Sequence, residues 1–123
     1  MKYLILIHGN PNSRAAWGNL TSPQREAGLA TYAALREDLS ASGEMIVSEV
    51  LADPILGKVV SIVDGHRMTT DGPFAESKEF LAGFFLVDCA SLDRAIEHAS
   101  RIPEAAFGLV EVRPVMSLGD FEV

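Results

Sequence analysis

Two segments of this chain are apolar at consecutive positions, and this feature limits the folds that the chain can adopt. Tyr3–Ile7 is continuously apolar, and Gly83–Val87 is a second apolar run. Because successive side chains of a strand point to opposite faces, such runs predict strands that are covered on both faces. A sheet built on these two strands therefore needs apolar partners on both of its sides.

The elements around these two strands follow a regular order. We predict a helix from Pro23 to about Ser42, capped by Ser22 and ended by Gly43. A second helix is predicted after the cap Ser91, with an apolar stripe that continues to Ile102. Further strands are predicted at Met45–Leu51, Lys58–Val63, His66–Thr70 and Gly108–Val115. The residues Gly9–Ser13 are turn formers and predict a break after the first strand.

This order of elements predicts an α+β fold in one domain, a ferredoxin-like sheet with two helices on one face plus an extra β-hairpin. The hairpin is indicated by Asp64-Gly65, a dipeptide typical of type I′ turns. Two small helices cover only one face of such a sheet. We therefore expect a second copy of the chain to cover the other face, in a homodimer packed face to face.

Composition argues against several classes of function. Ten Lys and Arg against 17 Asp and Glu give a net charge of −7, which disfavours nucleic acid and anionic membranes as partners. No apolar stretch approaches the ~20 residues of a membrane span, and the N-terminal apolar run is too short for a secretory signal, so we expect a cytoplasmic protein. The single Cys89 excludes an internal disulfide.

Motifs for bound groups are missing from the sequence. We find no phosphate-binding glycine loop, nucleophile elbow or dinucleotide fingerprint, and therefore predict no cofactor. The three histidines lack metal-ligand spacing, so we predict no metal site. His66 and His98 are predicted to lie at the surface, and Cys89 is predicted to be a small buried apolar residue.

The segment Asp71-Gly72-Pro73-Phe74-Ala75-Glu76-Ser77-Lys78-Glu79 resembles the DGPF branch of the YCII-related family. Residues 1–7, 83–87, 101–103 and 110–115 are also similar to that branch, so the resemblance spans nearly the whole chain. It implies a single YCII-related (DGPF) domain over residues 1–123, with a fold of the dimeric α/β-barrel type. About chemistry it implies little: a site with a His and an Asp has been suggested for YciI-type members, and some DGPF members are encoded beside sigma factors. This chain has Asn10-Pro11-Asn12-Ser13 where an acidic stretch is commoner, so roles in that loop do not carry over.

Two residues are candidates for acid–base catalysis. His8 ends the first strand, and its imidazole titrates near neutrality, so it is suited to moving a proton. Asp71 is suited to orienting such a histidine. Each also has a structural interpretation: His8 as a hydrogen-bonded strand end, and Asp71 as part of a turn in which Gly72 tolerates positive φ and Phe74 anchors the loop in the core.

Glu111 and Arg113 alternate along the last strand and are candidates for substrate binding, together with Phe74. In a ferredoxin-like order the last strand neighbours the first, which brings this pair towards His8 or to the opposite face. They form either a solvated edge or the polar lining of a cavity. We predict that His8, Asp71, Glu111 and Arg113 bound one pocket, in which Arg113 holds an anionic or carbonyl group.

Three functions follow from these residues. The first is a homodimer that binds a small molecule between the sheet and its helices or its partner. The second is a cofactor-independent enzyme that uses His8 and Asp71 in acid–base chemistry on a small organic substrate. The third, suggested only by the gene context of the family, is a regulatory module linked to sigma factors.

Overall fold

The structure, a computed structural model, describes residues 1–72 and 78–122. Its helices and strands are β1 (Lys2–Gly9), α1 (Pro11–Gly18), α2 (Ser22–Ser42), β2 (Met45–Val50), β3 (Lys58–Val63), β4 (His66–Asp71), β5 (Phe80–Asp88), α3 (Leu92–Ala99) and β6 (Val110–Pro114). Short 3-10 helices lie at Pro54–Leu56, Pro103–Phe107 and Leu118–Glu122. Among the residues described, no helix combines the length and apolar character that crossing a membrane requires.

Four strands form one antiparallel sheet in the order β2-β5-β1-β6, and β3 pairs with β4 in a separate two-stranded sheet. With the hairpin set aside, this is the ferredoxin-like order, in which the last strand lies beside the first. The turn of the hairpin has φ of 52° at Asp64 and 77° at Gly65, as a type I′ turn requires. The predicted sheet and the predicted hairpin are therefore both confirmed.

The hydrophobic core lies on one face of the four-stranded sheet. Side chains at alternate positions of β1, namely Tyr3, Ile5 and Ile7, are buried in one cluster with residues of α2 and α3. Leu35 and Leu39 come from α2, and Ala95 and Ala99 come from α3. Both helices therefore cover the same face, as predicted. The opposite face carries the other positions of β1, including Leu4, Leu6 and His8.

The structure differs from prediction in one helix that was not predicted, α1, and at two helix ends. The residues predicted as a turn after β1 begin α1, because Asn10 accepts a hydrogen bond from the Ser13 amide at 2.8 Å and Pro11 occupies the first turn. Turn formers and helix caps are the same residue types, so this signal is ambiguous in sequence. Thr21 rather than Ser22 caps α2. The last helix ends at Ala99, before the predicted end of the stripe.

Candidate functional site

A cavity of about 480 Å³ lies between the helices and the β2–β5 edge of the sheet. Its lining is mainly aromatic and aliphatic, with a few polar groups at its ends. The lining residues are Ile7, Trp17, Leu29, Tyr32, Ala33, Arg36, Ser48, Glu49, Val50, Ala82, Gly83, Phe84, Phe85 and Glu104. This composition, apolar walls with a few polar groups, is typical of a small-molecule site.

The helical side of the cavity comes from one stripe of α2. Leu29, Tyr32, Ala33 and Arg36 recur at positions i, i+3, i+4 and i+7, so they share one face of the helix. The sequence predicts an apolar stripe of Tyr32, Leu35 and Leu39 on this helix, with Arg36 on a polar flank. Leu35 and Leu39 are buried in the core, whereas Tyr32 also lines the cavity. The periodicity that marks this second stripe was present in the sequence, but it does not tell a packed stripe from one that faces a cavity.

Two glycines permit the close packing around the cavity. A Cβ atom at Gly83 would lie 2.9 Å from the carbonyl oxygen of Glu49, so β5 approaches β2 here only because Gly83 has no side chain. A Cβ atom at Gly28 would lie 3.2 Å from the Trp17 ring. Gly28 therefore serves the contact between α2 and Trp17.

One end of the cavity holds a phenol and a carboxylate. The Tyr32 hydroxyl donates a hydrogen bond to the carboxylate of Glu104, which lies in the short helix Pro103–Phe107. Burial raises the pKa of Tyr32 above its usual value, and the hydrogen bond to Glu104 and its charge raise this pKa further. Tyr32 therefore remains a neutral donor at physiological pH, and its proton is directed at Glu104.

Arg36 lies one turn further along α2, at the edge of the cavity. Its Nε donates a hydrogen bond to Ser48 Oγ of β2 at 2.9 Å. Within residues 1–72 and 78–120, no carboxylate oxygen lies within 4.0 Å of the Arg36 guanidinium. The lining thus has a carboxylate engaged by a phenol and, one helical turn along α2, a guanidinium without an ionic partner among the described side chains.

The opposite face of the sheet carries a row of charged side chains. His8 Nε2 lies 3.5 Å from one carboxylate oxygen of Glu111, and Arg113 Nε lies 3.7 Å from the other. Pairing between β1 and β6 brings Glu111 opposite Leu6 and Arg113 opposite Leu4. Three of the predicted site residues are therefore neighbours on this face, although their role in a site remains a prediction.

Asp71 has a different neighbour in the structure. It ends β4, where its carboxylate forms an ion pair with Lys58 of β3. Within the described residues of one chain, Asp71 forms no hydrogen bond or ion pair with His8 or Arg113. The two-residue turn at 64–65 fixes the hairpin register and so sets Lys58 opposite Asp71, a signal that was readable in the sequence.

The rest of the DGPF motif is only partly described. Gly72 does not have positive φ, contrary to expectation; instead a Cβ atom there would lie 2.9 Å from the carbonyl oxygen of Pro54. Gly72 is therefore explained by the close approach of two backbone segments. Phe74, predicted to anchor the loop, lies outside the described residues, and its role as a substrate-binding residue stays a prediction.

Glu44, Cys89 and His98 form a compact group of potential metal ligands, the one such group in the described part of the chain, with ligand atoms within 4.8 Å of one another. The Glu44 carboxylate already accepts hydrogen bonds from Arg94, at 3.0 and 3.2 Å, and lies 3.1 Å from His98 Nε2. The Arg94 hydrogen bond is the largest of several causes that lower the pKa of Glu44 to about 2. Burial raises the pKa of the Cys89 thiol to about 11, so it stays protonated at neutral pH. The group is therefore a closed hydrogen-bond network.

His98 is buried, with 4% of its surface exposed, so the prediction that it lies at the surface is wrong. Ala95, His98, Ala99 and Ile102 follow helical spacing and face the core, whereas Ile96 is 47% exposed. The apolar stripe predicted for this helix is confirmed at Ala95, Ala99 and Ile102, but its other two members, Leu92 and Ile96, are exposed. Glu44, far away in the chain, makes burial of this imidazole possible by hydrogen bonding to it. Cys89 is buried, as predicted.

Comparison with known proteins places the chain in a family. Residues 1–119 match the YCII-related domain. The uncharacterised protein R00369 of Rhizobium meliloti (strain 1021) is 31% identical over 117 residues, which cover 94% of this chain and 92% of the relative. The solved structure of 5-chloro-2-hydroxyhydroquinone dehydrochlorinase (TftG) from Burkholderia phenoliruptrix AC1100, in complex with 2,5-dihydroxybenzoquinone, is similar with a TM-score of 0.50 and 18% identity, over 98% of both chains. That likeness establishes the fold alone, a ferredoxin-like sheet of the dimeric α/β-barrel type. The chain belongs to the YCII-related family.

Proposed function

We propose that this protein binds a small, largely apolar organic molecule in the cavity between α2 and the β2–β5 edge, and that it does so as a homodimer. The observation that carries the proposal is the cavity itself. Its volume of about 480 Å³ is in the range of small-molecule sites, and its walls are mainly apolar.

Exposure of the cavity walls supports this proposal. Trp17, Leu29 and Val50 have 41%, 58% and 81% of their surface exposed, although all three are large apolar residues around one concavity. Such residues cost free energy when they face water together, and a bound apolar molecule removes that cost. Each is also in an ordered helix or strand, so the walls are formed before the ligand binds.

The homodimer is supported by the other face of the sheet. Leu4, Phe84 and Leu86 lie there, each half-buried in a single chain, around the more buried Leu6. The helices α2 and α3 pack on the opposite face of the sheet. They therefore do not cover this face. A second copy of the same sheet supplies an apolar surface of matching shape and spacing.

Binding is tested with a neutral ring compound, 1-naphthalenemethanol, titrated into isotopically labelled protein by NMR. We expect saturable shifts of the Leu29 and Val50 methyl signals. Ala33→Leu puts extra volume into the cavity, whereas Ala34→Leu makes the same change at an exposed α2 position outside the lining. Loss of binding in Ala33→Leu, with binding retained in Ala34→Leu, supports the cavity as the site. Equal binding by both variants, or no saturable binding by the parent, contradicts it.

A second candidate function is acid–base catalysis at the face of the sheet opposite to α2 and α3, here called the open face. It is favoured by the His8–Glu111 pair, because a carboxylate 3.5 Å from an imidazole helps to orient the ring for proton transfer. The protein of similar fold is described as a dehydrochlorinase, so its named substrate, 5-chloro-2-hydroxyhydroquinone, is a reasonable first compound. We expect chloride release by the parent that is lost in a folded His8→Gln variant. Chloride release that is absent, or unchanged in His8→Gln, contradicts this function.

A further inference from the structure

We infer that the cavity is specific for ring-containing carboxylates, and that Arg36 binds the carboxylate. This inference rests on the proposed function, since it concerns the same cavity, and it adds the chemical class of the ligand. It follows from the position of Arg36, the one cation among the described residues of a mainly apolar lining.

Arg36 is positioned beside the cavity by two elements, α2 and β2. Its backbone belongs to the α2 stripe that forms the helical wall, and its Nε is fixed by Ser48 Oγ of β2 at 2.9 Å. This single hydrogen bond uses one of the five N–H donors of the guanidinium. The terminal nitrogens have no carboxylate partner in the described chain, and their planar arrangement fits a carboxylate through two parallel hydrogen bonds.

Among the charged groups of the described lining, Arg36 is the one that attracts an anion. Glu104 repels an anion, and its carboxylate already accepts a hydrogen bond from the Tyr32 hydroxyl. Tyr32 and Arg36 are four residues apart on α2, so the Tyr32–Glu104 pair and Arg36 are reached from the helix one turn apart. Glu49 follows Ser48 in β2 and is paired with Phe84 of β5. Because side chains alternate along a strand, the Glu49 side chain is directed to the face of the sheet opposite to Ser48.

The apolar walls strengthen this selection. A ring that fills the cavity excludes water from the contact between its carboxylate and Arg36, and ionic hydrogen bonds are stronger where water is excluded. A neutral ring of the same size gains the apolar contacts but not the ionic one. The cavity should therefore distinguish two ligands that differ only in this group.

The experiment compares 1-naphthoate with 1-naphthalenemethanol by isothermal titration calorimetry. We expect the parent to bind 1-naphthoate at least roughly tenfold more tightly than 1-naphthalenemethanol, because hydrogen bonds between charged groups contribute that much binding free energy. Arg36→Gln should remove this preference by lowering the affinity for the carboxylate, and the variant should still fold, because Arg36 is exposed and Gln is a good helix former. Arg67→Gln, in the hairpin and outside the lining, removes the same charge and should leave the preference unchanged.

The outcomes separate this inference from the proposed function. If the parent binds the alcohol but does not prefer the carboxylate, the cavity binds small molecules and the inference is wrong. If Arg36→Gln keeps the preference, or if Arg67→Gln loses it equally, Arg36 is not the carboxylate group's partner and the inference is again wrong. If neither compound binds saturably, the proposed function fails with it.

Discussion

The two faces of the four-stranded sheet are made by the same strands, yet they are completed differently. On the helix face, Ile5 and Val87 are 0% exposed beneath α2 and α3, and an apolar cavity remains at the β2–β5 edge. On the open face, Leu4 and Leu86 are only half-buried and stand beside charged side chains. Successive side chains of each strand alternate between the two faces of the sheet, so the apolar strands make both faces apolar. The helices of one chain cover only one of these faces. The difference supports the proposed homodimer at the open face and the proposed ligand site on the helix face.

The largest expected effect is on the free energy of unfolding, which should fall more for a substitution on the helix face than for one on the open face. Leu39→Ala empties a fully buried position of the helix face and should cost ~2–5 kcal/mol of unfolding free energy. Leu4→Ala on the open face should cost less, and its cost should grow with protein concentration if a second copy covers Leu4. Chemical denaturation of both variants at several concentrations measures this. Equal, concentration-independent costs would show that the two faces are not different in this respect.

Association is the next largest effect. Leu86→Arg puts a charge at the centre of the open face and should convert a dimer, of twice the 13.2 kDa chain mass, into a folded monomer. Leu29→Arg, on the exposed helix side, adds the same charge and should leave the dimer intact. Sedimentation equilibrium at low micromolar concentration distinguishes the two. A parent protein that sediments as a compact monomer would contradict the homodimer outright.

The hydrogen-bond network around Glu44 gives the helix side a pH-dependent contribution. The pKa of Glu44 is lowered from 4.5 to about 2, chiefly by Arg94. A carboxyl whose pKa falls on folding stabilises the native state above its unfolded pKa, and this stability is lost as the pH falls from about 4.5 through about 2. Glu44→Gln should therefore cost on the order of 2 kcal/mol near pH 7 and little at pH 2.

Glu97 provides the matched control for this prediction. It also pairs with Arg94, at 3.0 Å, but its side chain is 67% exposed. Glu97→Gln should therefore change stability by less than ~0.5 kcal/mol at either pH. Unfolding curves at neutral and acidic pH test both variants. A cost for Glu44→Gln that does not shrink towards pH 2 would mean that charge is not the source of the stabilisation.

Much of the fold was predictable because its signals are local. Apolar runs located β1 and β5, helix caps located α2 and α3, and Asp64-Gly65 located the hairpin. Two signals were missed for different reasons. Asn10 and Pro11 begin a helix rather than a turn, because turn formers and helix caps are the same residue types. His98 is buried because Glu44, in the segment between α2 and β2, pairs with it.

The candidate site was predictable only in part for the same reason. The ferredoxin-like order correctly made β6 the neighbour of β1, and so brought Glu111 towards His8. The cavity was not predicted, since it needs Gly83 of β5 beneath the α2 stripe, a combination that no local pattern contains. Asp71 was assigned to His8 from the family resemblance, although the hairpin register pointed to Lys58.

The smallest expected effect concerns the cavity wall. Gly28→Ala should gain about 1 kcal/mol of helix stability, but its Cβ meets the Trp17 ring at 3.2 Å and forces that ring to move by a few tenths of an ångström. We expect these terms to offset to within about 0.5 kcal/mol. Because Trp17 is the sole tryptophan, its fluorescence reports the displacement, and the emission maximum should shift to longer wavelength. Gly18→Ala, where a Cβ meets nothing within 4 Å, should leave the emission unchanged. If Gly28→Ala gains its full helix propensity with unshifted emission, Trp17 does not rest on α2, and the cavity lacks the wall on which its binding function depends.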